Sequence, residues 1–192
     1  MRGIEATGTR VASVLLVALA MLAGAAGTAR GLAHVIVDPP HGSLGGGDAF
    51  TVTVMYDGTG VVEGMRGYHV EIEFDNSLVY IVDENADIDE GDFLDDSGTT
   101  LFLHELPDEH SVVVDCVILG ATGGATGIGE LCSITFTGHL ATSGTSPLAF
   151  VDVKLRDTDN DPIDCATADG ELELSETPVE DVGWARIKAL YR

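Results

Sequence analysis

Tyr68-His69-Val70-Glu71-Ile72-Glu73-Phe74 alternates apolar and polar residues with a period of two. A strand sends successive side chains to opposite faces. The spacing therefore puts Tyr68, Val70, Ile72 and Phe74 on one face and His69, Glu71 and Glu73 on the other. This predicts an antiparallel strand with a core on one side and water on the other.

Runs of the same kind lie on both sides of it. Residues 34–37 form a short apolar run stopped by Asp38-Pro39-Pro40, and 50–56 alternate up to Asp57-Gly58. Residues 78–82, 100–106, 112–119, 131–137 and 148–155 read as strands, and 171–174 as a weaker one. Gly, Asp, Asn and Pro clusters separate them, the punctuation of a sandwich or barrel. No segment after the N-terminal region shows a 3.6-residue period before residue 180, so the fold class is all-β. Two loops stand out: 83–97, with eight acidic residues around Phe93 and Leu94, and the glycine-rich 120–129.

The ends differ from the body. Arg2 and Arg10 precede an apolar stretch, 11–23, followed by Gly24-Ala25-Ala26-Gly27-Thr28-Ala29. A charged start, an apolar run and small residues are the parts of a secretory signal peptide. The apolar run is shorter than the ~20 residues of a membrane-spanning helix. Residues 1–33 are thus expected to be a signal, cleaved after Ala25, Ala29 or Ala33, and the protein to be secreted. Residues 34–174 suit one domain with a single core. Residues 175–181 read as a linker. The tail 182–192 holds the only tryptophan and three basic residues, with Trp184, Ile187, Leu190 and Tyr191 at the spacing of an amphipathic helix.

Between His34 and Asp181 the basic residues are Arg66, Lys154 and Arg156, against 31 Asp and Glu. Such a surface repels phosphate backbones and anionic lipid, which excludes nucleic acid and membrane surfaces as partners. It suits solubility, calcium or a basic protein partner.

Several stretches in order resemble the cohesin domain. Val35-Ile36-Val37-Asp38-Pro39 and Gly47-Asp48-Ala49-Phe50-Thr51-Val52-Thr53-Val54 are similar to the family's opening strands. Residues 67–75 with Leu78 and Val82 resemble its core signature, Glu90-Gly91-Asp92-Phe93-Leu94 its next turn, and residues 127–136 a later strand. The resemblance spans residues 34–174. It departs at Asp75-Asn76, where the family has Asp-Pro, and at His69, where many members place a small polar or acidic residue. It implies a nine-stranded jelly-roll β-sandwich and a noncatalytic role, presenting one sheet face to a dockerin-bearing protein, often a polysaccharide-degrading enzyme. On the family's pattern that face comprises 68–74, 100–106 and 112–119. Its outward candidates are His69, Glu71, Glu73, His104, Leu106, Val113, Asp115 and Val117, with Val113, Leu106 and Val117 as an apolar centre.

Other readings of the same residues compete with this one. Glu71 and Glu73 sit roughly 7 Å apart on one strand face, a separation that inverting glycosidases use. Nothing in the sequence buries either carboxylate, so a solvated face is the reading and no enzyme is expected. Direct binding of polysaccharide needs exposed aromatic rings, and aromatics are few here. A calcium-linked adhesion protein is the third reading. Asp157, Asp159 and Asp161 alternate as in calcium loops, but Pro162 stands where such a loop needs glycine. A hairpin turn fits these residues better, and no cofactor is required. His104 and His110 flank the turn at Pro107-Asp108-Glu109. Cys116, Cys132 and Cys165 form no zinc pattern. Alternation points Cys116 and Cys132 inward. In a cohesin-like sandwich they lie in opposite sheets, which leaves open a cross-core disulfide or two buried thiols.

Overall fold

The computed structural model describes residues 31–120 and 123–175. The signal-like segment, the linker beyond Ser175 and the basic aromatic tail lie outside the described residues. Among the described residues thirteen strands form two sheets. The first holds β1 (Ala33–Asp38), β3 (Ala49–Asp57), β5 (Val79–Tyr80), β6 (Ile88–Glu90), β9 (Ile128–Gly138) and β12 (Cys165–Ala168). The second holds β2 (His41–Gly45), β4 (Met65–Phe74), β7 (Thr100–Asp108), β8 (Ser111–Ile118), β10 (Gly144–Asp157), β11 (Pro162–Ile163) and β13 (Gly170–Ser175). Nine of these strands run five residues or more, the number a cohesin-like jelly roll requires, and the other four are short edge pieces.

The chain passes repeatedly from one sheet to the other. The strand read first, β4, is central: it pairs antiparallel with β8 on one side and β10 on the other. In the facing sheet β3 lies between β1 and β9. Two parallel pairs, β1 with β12 and β13 with β2, close the roll.

Tyr68, Val70, Ile72 and Phe74 of β4 are buried as the alternation predicts. They meet Val52, Val54 and Tyr56 of β3 and Ile134 and Phe136 of β9 in one core. Phe74 and Phe136 pack edge to face across it, ring centres 5.2 Å apart, the arrangement the ring quadrupoles favour.

The acidic segment 83–97 is more ordered than a loop. It forms two single helical turns, α1 (Glu84–Asp87) and α2 (Asp92–Asp95), with β6 between them on the edge of β9. Asp83 caps the first turn by accepting from the Asn85 N–H at 3.0 Å, satisfying a donor that a helix start leaves unpaired. Phe93 and Leu94 are buried and plug one end of the sandwich, Phe93 lying 5.0 Å from the Tyr56 ring. Gly129 makes room for that plug, since a Cβ there would stand 2.5 Å from Phe93.

Ala33, one of the three expected cleavage points, is the first residue of β1 and fully buried. Cleavage after Ala25 or Ala29 leaves β1 whole. Among the described residues no helix is long and apolar enough to cross a membrane.

Candidate functional site

The outer face of β7, β8, β4 and β10 is set by register. Leu101, Val117, Gly67 and Arg156 form one row across the four strands. Leu103, Asp115, His69 and Lys154 form the next, and Glu105, Val113, Glu71 and Asp152 the third. His69, Glu71, Glu73, Asp115 and Val117 thus lie outward as expected.

Three other expected members of the face fare differently. Leu106 points inward and packs against the core. His104 also lies on the inner side of β7, its Nδ1 buried without a hydrogen-bond partner. Both faces of β7 carry apolar residues, so periodicity alone left its phase open. Pairing with β8 decides it, placing Leu101, Leu103 and Glu105 outward. Val113 does face outward but is only 8% exposed, covered between its cross-strand partners Glu71 and Glu105. On β7 and β8 the exposed apolar residues of this face are Leu101 (45%), Leu103 (56%) and Val117 (38%).

Gly67 shapes the surface beside them. A Cβ there would meet the Cys116 carbonyl at 3.0 Å and Val117 at 3.5 Å. Gly67 lies in a depression of about 470 Å3, bordered by Leu101, Leu103, Val117 and the basic side chains. Arg66, Lys154 and Arg156 all line it, and they are the only Lys or Arg among the described residues. Their rarity in an acidic sequence was the signal that could have marked this face.

The polar groups are mutually braced. His69 Nδ1 donates to Asp115 at 2.9 Å, and its Nε2 lies 3.8 Å from Asp152. Lys154 donates to Asp152, and that bond holds the Asp152 carboxyl below the usual carboxylate range, with the charges of Lys154 and His69 adding to it. Arg66 donates to the carbonyls of Ile118 and Gly120, and Arg156 to that of Asn160. The face combines apolar surface, fixed cations and carboxylates, and it is open to solvent on one side. On this sheet Glu71 is half-buried and Glu73 exposed.

Elsewhere the expectations divide. Asp157 Oδ1 accepts the backbone N–H groups of Asp159 at 2.9 Å and Asp161 at 2.8 Å. The Asp157 carboxylate thus organises the β10–β11 hairpin turn, to which Asp159 and Asp161 contribute backbone N–H groups. Among the described residues no three His, Cys, Asp or Glu side chains converge as metal donors. His110 is exposed while His104 faces inward, and Asp108 caps the turn between them by accepting from the His110 N–H at 2.7 Å.

Cys116 and Cys132 point inward but form no disulfide; all three cysteines are free thiols. Tyr68, the cross-strand partner of Cys116, reaches over to the Leu131 carbonyl next to Cys132 and fills the gap between the sheets. The Cys116 thiol donates to Glu90 at 3.3 Å.

No protein-family model matches the chain, and no curated protein matches it. Solved structures of the same fold do. The sixth cohesin of scaffoldin B from Acetivibrio cellulolyticus, in complex with a mutant Cel5 dockerin, superposes with a TM-score of 0.62. It is 14% identical and covers 76% of this chain and 100% of its own. A chain of the Coh-OlpA–Doc918 complex, a type I cohesin–dockerin complex from Clostridium thermocellum, gives 0.59 at 18% identity, with coverage of 76% and 100%. A non-cellulosomal cohesin from the hyperthermophilic archaeon Archaeoglobus fulgidus gives 0.57 at 13% identity and covers 84% of this chain and 99% of its own. The chain has a cohesin-like fold.

Proposed function

We propose that this chain is a secreted, noncatalytic protein-binding module that presents the outer face of β7, β8, β4 and β10 to a dockerin-type partner. The observation that carries the reading is the coincidence, on one face, of exposed Leu101, Leu103 and Val117 with all three described cations. An apolar centre inside a charged rim is how specific protein interfaces are built. The reading is supported by the fold shared with cohesins, two of which were solved with dockerins.

A partner would lay apolar side chains on the leucine pair and Val117. It would offer an acidic group to Arg156 or Lys154, and its basic groups would meet Asp115, Glu71 and Glu105. The signal-like N-terminus supports an encounter outside the cell. A role in polysaccharide degradation would come through the enzyme that the partner carries. Direct sugar binding is less well supported. Among the described residues no Phe or Tyr is well exposed: Phe102 and Phe150 pack inward, and the Tyr80 ring lies 4.5 Å from His139.

Pull-down from the secreted proteins of the source organism with the mature chain tests this. A dockerin-bearing protein should be retained, and Leu103→Asp should weaken retention by about tenfold or more, as loss of a central apolar anchor does. The same variant should unfold at an unchanged urea midpoint. Retention on cellulose or xylan with no protein partner would defeat the proposal.

A further inference from the structure

A second concavity, of about 510 Å3, opens at the other end of β4 from the cationic depression. Gly67 and Phe74 mark the two ends, seven residues or roughly 23 Å apart along the strand. Phe74, Ile81 and Leu106 give the groove an apolar floor, Tyr80 forms a wall, and Asp108 and Glu109 stand at its rim. Its volume is that of a site able to enclose several apolar side chains.

The chain leaves the sandwich at this same end. β13 finishes at Ser175. Its Leu174 packs on Gly138, where a Cβ would stand 2.5 Å from the leucine methyl. His139, the next residue, donates its N–H to the Leu78 carbonyl and lines the groove beside Tyr80. Residues 176–182, extended at about 3.3 Å each, would reach some 23 Å, enough to bring the C-terminal tail to the groove. That tail, 182–192, contains Arg186, Lys188 and Arg192, no carboxylate side chain, and Trp184, Ile187, Leu190 and Tyr191.

Charge separates the two concavities as hosts for this segment. The depression at Gly67 is lined by Arg66, Lys154 and Arg156 and repels it. The groove at Phe74 carries carboxylates at its rim and attracts it. We infer that residues 182–192 dock into the Phe74–Leu106 groove of their own chain, apolar side chains on its floor and basic ones toward Asp108 and Glu109. The segment then leaves the β7–β8–β4–β10 face free, and the two sites can be occupied together.

Trp184 is the only tryptophan, so its fluorescence reports on this segment alone. In the mature chain its emission should be blue-shifted and its quenching by acrylamide reduced relative to a peptide of residues 182–192. Glu109→Lys changes an exposed side chain whose partner is Asn76, 3.1 Å away. That variant, or ~1 M NaCl, which shortens the screening length to about 3 Å, should move both signals toward the peptide. Truncation after Ser175 should raise hydrogen exchange at Tyr80, Ile81 and Leu106. Three results would overturn the inference: Trp184 behaving as in the peptide, a blue shift that vanishes on dilution and so comes from a second copy, or exchange changes mapping to Leu101 and Leu103.

Discussion

Tyr68 carries its hydroxyl across the core to the Leu131 carbonyl, 2.6 Å away, and the two inward thiols lie beside it. Burial raises the Tyr68 phenol above its ordinary value of 10.0, and raises Cys116 and Cys132 above 9.0, Glu90 adding to the shift at Cys116. All three are neutral as acids, so the folded state holds their protons more tightly than the unfolded chain does. Stability from them is complete below pH about 9 and declines as pH rises, by at most about 1.4 kcal/mol per pH unit for each group. Urea midpoints at pH 7, 9 and 10.5 should fall in that order, and a flat profile would contradict the account. His104 is the converse case. Its buried Nδ1 has no partner, and an unsatisfied buried polar atom costs about 1–3 kcal/mol. His104→Leu should therefore leave stability unchanged or raise it by about 1 kcal/mol in urea unfolding, and should not weaken partner binding. A loss of binding would place His104 on the docking face after all.

At the scale of elements, strands were legible where one face is wet. β4 alternates cleanly because Glu71 and Glu73 face solvent while Val70 and Ile72 do not, and its inner and outer sets follow from the residues alone. β7 was legible as a strand but not in phase, because Leu101 and Leu103 are apolar on the side where β4 is charged. An exposed leucine pair erases the alternation that would have revealed it, so the residues alone do not separate His104 and Leu106 from the outer face. Among the short pieces β5 was legible, within the run 78–82, and the rest were not. β6 and the turns α1 and α2 lie in an acidic run with little apolar period, and they form because Phe93 and Leu94 bury themselves against β9 and the Tyr56 ring. β12 and β2 owe their existence to parallel partners far away in sequence, which no local pattern encodes. The turn at Asp157 was legible from Pro162.

For the whole molecule, the chain holds 32 Asp and Glu against nine Lys and Arg, a formal net charge of −23 at pH 7. Two effects of salt then oppose each other. Screening weakens attractive pairs such as Lys154–Asp152, but both of its side chains are exposed, and pairs of that kind contribute about 0–1 kcal/mol. Screening also relieves repulsion among the carboxylates, which far outnumber the available partners and which compaction brings closer together. Repulsion is the larger sum, so sodium chloride should stabilise the fold. The screening length falls from about 30 Å at 0.01 M to about 10 Å at 0.1 M, so most of the gain should come in that first interval. Urea unfolding across that range should show a rising midpoint at constant slope. Calcium and magnesium chloride at matched ionic strength should then act alike, because the Asp157 carboxylate is occupied by its own turn. A midpoint that falls with salt would mean that the ion pairs dominate. A calcium-specific excess would mean that the acidic turns bind the ion rather than merely being screened.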